Sequence, residues 1–256
     1  MSHDFLAVPT TTRPTSSGPV ELPIRYQDAS NIMALFGAPL AGAAALLEES
    51  GLEPAIVAGG QALVGLSFYE YRRTSIGDYN EVGTAIFARR PGGPGAVLGL
   101  AELLLDPRRR KVGAWVVDLP VTTEAACAAG RELWGYPKFV TAIDFSLSGR
   151  ELHGRVREPD GERAICELSG HAGPSVPVPG FSILTYSRLE GELLATPVDV
   201  KAPSRVHLPG EVRLRVGPSA HPMAAHLRTL GLDGASPLLL VVTGRFRSLL
   251  HAGEAC

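Results

Sequence analysis

The chain has 256 residues, 45% of them hydrophobic and 20% charged, with a formal net charge of −2. That length buries a substantial core, and the near-neutral charge provides no overall pull towards nucleic acid or an anionic membrane. The three cysteines, Cys127, Cys166 and Cys256, are widely spaced and form no metal-binding pattern, which fits a reduced, cytoplasmic setting.

Taken in chain order, Met1–Ala7 has no basic start and no long apolar run, so no export signal is expected. Residues 1–20, rich in Pro, Thr and Ser, read as a flexible leader, residues 21–250 as one domain and 251–256 as a tail. Ala38–Glu49 reads as a helix stopped by Gly51. Predicted strands follow at Ile56–Arg72, Tyr79–Arg89, Ala96–Leu104 and Lys111–Val117. A second helix, Thr123–Leu133, starts from a threonine cap and ends at Gly135. Beyond it lie strand-like runs at Thr141–Leu147, Leu152–Glu158, Glu162–Ser169, Ser182–Glu190, Glu211–Val216 and Leu238–Phe246, with a helix at His221–Leu230. Ser148-Gly149 and Pro159-Asp160-Gly161 are hairpin turns, which imply antiparallel neighbours. Gly92-Gly-Pro-Gly95 reads as another turn, because no phosphate-loop lysine follows it. The apolar runs Ala38–Leu47 and Pro237–Val242 are too short to span a bilayer. The expected fold is α+β and mostly antiparallel β, a closed or nearly closed β-barrel with a few covering helices.

Basic residues are distributed unevenly. Of 24, only Lys111, Lys138 and Lys201 are lysine, leaving 24 − 3 = 21 arginines. Where positive charge alone suffices, this composition uses arginine, so a retained lysine points to amine chemistry that a guanidinium cannot perform. Lys111 ends the run Arg108-Arg-Arg-Lys111, a solvated turn, and Lys201 lies in a polar stretch near Pro203. Lys138 alone has aromatic neighbours, Trp134, Tyr136 and Phe139, as apolar walls. Gly135 stops the helix before it and Pro137 stiffens the approach. An amine set among apolar walls is favoured in its neutral, nucleophilic form.

Gly130-Arg-Glu-Leu-Trp-Gly-Tyr-Pro-Lys138 resembles the active-site segment of the acetoacetate decarboxylase superfamily, with Lys138 on the imine-forming lysine. The resemblance implies the lysine activation of that family, an amine whose proton is lost through its surroundings. Upstream, Gly77-Asp-Tyr-Asn-Glu81 resembles the segment that presents a carboxylate to the pocket, with Glu81 on that carboxylate. The resemblance implies catalytic roles for Lys138 and Glu81, and pocket positions for Tyr136, Phe139, Leu66 and Arg25. Phe139 stands where decarboxylases of the family have a second lysine, and Leu66 where they have a further carboxylate. Arg25, in Pro23-Ile-Arg-Tyr-Gln-Asp28, is the nearest candidate for a substrate-binding arginine. The implied activity is that of a Schiff-base lyase on a β-keto acid or related oxo-acid, with no metal or organic cofactor and a homo-oligomeric assembly. Aldol, dehydration or cyclisation chemistry on the same imine is the alternative. A third reading is a barrel that binds a small ligand without turnover. Neither a nucleic-acid nor a membrane partner is expected.

Overall fold

A computed structural model describes residues 4–92, 99 and 101–256. Its principal strands are β1 (Ile24–Pro39), β2 (Gln61–Thr74), β3 (Tyr79–Arg89), β4 (Val112–Asp118), β5 (Ile143–Ser148), β6 (Glu151–Arg157), β7 (Ala164–His171), β8 (Ile183–Leu189), β9 (Glu192–Lys201), β10 (Arg213–Val216) and β11 (Leu239–Leu250). The α-helices among the described residues with assigned bounds are α1 (Leu40–Leu47), α2 (Glu124–Trp134) and α3 (Pro222–Thr229).

Seven strands close a barrel in the order β1–β2–β3–β4–β8–β9–β11, with β11 pairing back onto β1. All the pairings are antiparallel except β4–β8, where Thr185 lies opposite Ala114 and Tyr186 opposite Trp115. Closure satisfies the edges that an open sheet would expose. The fold is thus the expected closed, mostly antiparallel barrel with few helices.

A second antiparallel sheet, ordered β10–β7–β6–β5, covers one outer face of the barrel. Leu66 and Phe68 of β2 and Val82 and Ile86 of β3 turn towards it and form one buried cluster with Leu152, Val156, Ile165, Leu168 and Leu214. Strand alternation therefore divides β2 and β3 into two sets. Leu66, Phe68, Val82 and Ile86 fill the core between the sheets, and Gly65, Ser67, Tyr69, Tyr71, Glu81, Gly83 and Ala85 are left on the lumen side.

Several expectations need adjustment. Ile24–Pro39 is a sixteen-residue strand that the pattern did not reveal, and the helix predicted from Ala38 begins at Leu40. Residues Ala29–Ala34 are all buried, so the alternation that marks a strand is lost there. β9 was also missed. Residues 96–98 and 100 of the strand expected at Ala96–Leu104, and most of the Gly92–Gly95 turn, lie outside the described residues; the described remainder is not a strand, since Gly99, Ala101 and Glu102 are helical and Leu103 and Leu104 form a turn. The leader read as flexible carries structure. Thr11–Arg13 pairs with Val20–Leu22, Leu6 is buried, and Ser16 donates from its backbone to Glu132 on α2. In the tail, Glu254–Ala255 pairs with β9.

Candidate active site

The site begins at α2. Thr123 caps its first turn, accepting a hydrogen bond from the Ala126 N–H, and Gly135 ends it in the left-handed conformation with φ 64°. The Gly135 and Tyr136 N–H groups return to the Arg131 and Gly130 carbonyls, as a helix terminus of this kind requires. The chain then runs extended beside the segment that follows β4. The Leu119 N–H donates to the Pro137 carbonyl at 3.2 Å, and the Val121 N–H donates to Phe139 at 3.0 Å. These bonds on both sides of Lys138 fix its backbone and aim its side chain into the barrel.

Lys138 is buried, whereas Lys111 and Lys201 are exposed. Its Nζ donates to Glu81 Oε2 at 2.5 Å, with the two side chains only 6% and 9% exposed. Glu81 stands near the start of β3, opposite Tyr69 of β2, and Tyr71 donates from its hydroxyl to Glu81 Oε1 at 3.4 Å. The Lys138 stem lies in a slot on α2 at Gly130, where any Cβ would overlap its Cδ and Cε. The Tyr79 ring lies 5.8 Å from Nζ.

A cavity of about 150 Å³ opens from this pair into the barrel lumen. Near the pair its walls are aromatic: Tyr26, Tyr69, Tyr71, Tyr136 and Phe246. Tyr69 stacks on Tyr71 with centroids 5.2 Å apart, and Phe246 meets the edge of Tyr69 at 5.5 Å. Burial, and after it the Glu81 carboxylate, hold the phenols of Tyr69 and Tyr71 well above the ordinary tyrosine value, so both remain proton donors at neutral pH. Burial likewise pushes Tyr136 up to about 12, against the hydrogen bond its hydroxyl shares with Thr185 at 2.6 Å.

The sequence-derived candidates therefore separate. Lys138, Glu81 and Tyr136 converge on the cavity. Leu66 does not line it. As an even-numbered residue of β2 it faces the core between the sheets, fully buried. Arg25 does not line it either: Tyr26 takes the lumen side of β1, and the adjacent Arg25 pairs with Glu21 outside. Phe139 points away from Lys138, as alternation in an extended segment requires, and packs on His221 with ring centroids 4.4 Å apart. A side chain at 139 is thus on the wrong face to alter the charge around the Lys138 amine. Trp134 is buried behind Tyr136 and donates its indole N–H to the His251 carbonyl at 2.9 Å.

Sequence reasoning missed Tyr26, Tyr69, Tyr71 and Arg110. Tyr69-Glu-Tyr71 did carry a signal, two tyrosines on one face of a predicted strand, but no sign of which face looked inward. On the outer side of the Lys138 segment lies a separate cleft containing Arg131, Phe139, His221 and a hydrogen bond between His226 Nδ1 and Asp118 Oδ1 at 2.9 Å.

Comparison with known proteins places the fold and the family. A search of curated proteins finds no match. Among solved structures, the acetoacetate decarboxylase from Legionella pneumophila is 16% identical with a TM-score of 0.63, covering 99% of this chain and 93% of that one. The enduracididine biosynthesis enzyme MppR in complex with pyruvate is 14% identical with a TM-score of 0.67, covering 94% and 93%. An acetoacetate decarboxylase-like enzyme from Sphingomonas wittichii RW1 is 13% identical with a TM-score of 0.61, covering 93% and 94%. At these identities the likeness establishes the barrel fold. The family model for acetoacetate decarboxylase matches residues 7–244, nearly the whole length, and so the chain belongs to the acetoacetate decarboxylase family.

Proposed function

We propose that the protein is a Schiff-base-forming lyase that acts on a β-keto acid or related oxo-acid through an iminium on Lys138. The observation that carries this reading is the enclosed Lys138–Glu81 pair, 2.5 Å apart at one end of an aromatic cavity. A proton shift along that one hydrogen bond converts the ammonium–carboxylate pair into amine and carboxylic acid. The neutral Nζ attacks the substrate ketone, and the proton that the nitrogen then sheds passes to the ketone oxygen, giving the neutral carbinolamine with Glu81 still protonated. Glu81 then donates the proton with which the hydroxyl departs as water, leaving the iminium. In a decarboxylation the C–CO₂ bond breaks, its electron pair neutralises the iminium as an enamine, and CO₂ leaves. Protonation of the enamine carbon and addition of water release the ketone and restore Lys138. Tyr71, hydrogen-bonded to the other oxygen of Glu81, orients the carboxylate.

A second reading uses the same enamine as a carbon nucleophile, for aldol condensation or dehydration. It is supported by the scarcity of cations beside Lys138: apart from Lys138 itself, the one basic residue among the described residues lining the cavity is Arg110, towards its other end. A similar structure is MppR bound to the condensation product of pyruvate and imidazole 4-carboxaldehyde. Product analysis separates the two. With β-keto acids, the decarboxylase reading expects CO₂ and the shortened ketone in equal amounts; the aldol reading expects new or broken C–C bonds without CO₂. Loss of neither activity in Lys138→Ala would remove both readings.

A further inference from the structure

We propose that this cavity takes a chain-extended oxo-acid: the carbonyl reacts at Lys138, an apolar chain lies along β3 and β4, and a second carboxylate at the far end docks on Arg110. The proposal rests on the imine reading above and specifies its substrate.

The cavity is long. Its lining on β3 runs from Glu81 to Phe87, and on β4 from Val116 back to Val112. Glu81 to Phe87 is 87 − 81 = 6 residue steps, roughly 20 Å at the rise of a β-strand. Glu81 bridges to Val121, whereas Val112 pairs with Arg89, so Arg110 and Lys138 belong to opposite ends of this path. Between the ends β2, β3 and β4 present small residues to the lumen, with Gly65 and Ala85 directly opposite one another and Gly83 and Ala114 continuing the path, while Met33, Phe87 and Leu184 supply apolar walls. A Cβ at Gly65 would come into ordinary contact with Leu35 and Phe87, at 3.7 and 3.8 Å, so two apolar side chains already wall this part of the path.

Arg110 is 9% exposed, and its Nε and Nη2 both donate to the Leu105 carbonyl, at 2.8 and 2.6 Å. No ion pair holds it among the described residues. The two nearby carboxylates are engaged elsewhere: Glu102 accepts from the Lys111 and Val112 N–H groups, and Asp106 caps Arg108. A guanidinium has five donors in a planar fork. Burying it with an uncharged partner on one side only is costly unless an anion completes it. Burial accordingly draws Arg110 below the ordinary arginine value. A carboxylate arriving through the lumen would meet the Nη1 edge in the geometry that arginine favours.

Two measurements test this. The first is kcat/KM for a homologous series of 3-oxo acids of increasing chain length, each with and without a terminal carboxylate. The expected result is a rise of about two- to fourfold per methylene, and a further gain of about tenfold or more from the terminal carboxylate. Arg110→Gln should remove that terminal gain, and Arg110→Lys should retain part of it. Ala85→Leu should reverse the preference for length. The second is calorimetric binding of unreactive straight-chain monocarboxylates, which reads the cavity without imine chemistry. Affinity should rise with length and fall in Arg110→Gln. Flat length dependence in both, or an Arg110→Gln that lowers every substrate equally as a purely structural residue would, overturns the proposal. If borohydride traps no adduct with any oxo-acid while the monocarboxylates bind as expected, the imine reading fails and the cavity assignment stands.

Discussion

Gly130 and Lys138 fit together as slot and stem: the Lys138 Cδ and Cε occupy the space that a side chain at 130 would fill. The eight-residue spacing brings the last full turn of α2 back against the extended segment that follows Gly135. The glycine of the active-site motif is thereby explained by close approach, and its backbone is ordinary helix. A methyl group at 130 must move the lysine.

Gly130→Ala should therefore reduce imine formation more than stability. Alanine favours the helix by up to about 1 kcal/mol, while a displacement of the amine by about 1 Å costs up to about a hundredfold in rate. The rate of adduct trapping, compared with a thermal melt, reads both. An unchanged rate would show that the lysine reaches its substrate by another path.

Gly135→Ala is expected to act on the fold. Gly135 has φ 64°, and a Cβ there would overlap the Arg188 carbonyl of β8. The left-handed conformation alone costs about 1–2 kcal/mol for an L-residue, and the overlap adds to it. The melting temperature should fall by several degrees, with Lys138 dislodged from the cavity in the fraction that folds.

Glu81→Gln keeps the shape of the side chain but removes its proton chemistry. Turnover should fall by about 10²- to 10⁴-fold, with adduct formation slowed and its site unchanged. Full activity in this variant would assign proton transfer elsewhere, the Tyr71 hydroxyl being the next group in reach.

The His226–Asp118 pair predicts a pH dependence of stability. The hydrogen bond to Asp118 raises His226 above its ordinary value of 6.5, against partial burial. Folding therefore favours the protonated ring. The resulting stabilisation is fully present below pH 6.5 and disappears as pH rises through the raised value. His221 and Arg131 share the cleft, so the fit should be made with both intact. His226→Gln should melt below the wild type in acid and converge with it in alkali; a constant difference across this range would contradict the assignment.

Much of this arrangement was legible in the residues, for reasons that also explain what was not. Lys138 stood out because arginine replaces lysine elsewhere, and α2 because a threonine cap and a terminal glycine bracket it. The turns after β5 and β6 declared themselves through Gly149 and Asp160-Gly161. β1 did not, because its middle is buried on both faces and shows no alternation. The identity of the lumen face was hidden for a similar reason. Both faces of β2 are apolar or aromatic, so Leu66 and Tyr69 look equally suited to a pocket until the second sheet is seen to cover one side. Arg25 was the nearest candidate for a substrate-binding arginine and Phe139 the neighbour of Lys138, and alternation turns both away from the lumen.

The central claim is that Lys138 forms a covalent imine. Incubation with oxo-acids, reduction with borohydride and peptide mapping by mass spectrometry test it directly. The account predicts one stable adduct, on Lys138, absent from Lys138→Arg because a guanidinium forms no imine. No adduct with any carbonyl compound, or turnover that survives in Lys138→Arg, would contradict it.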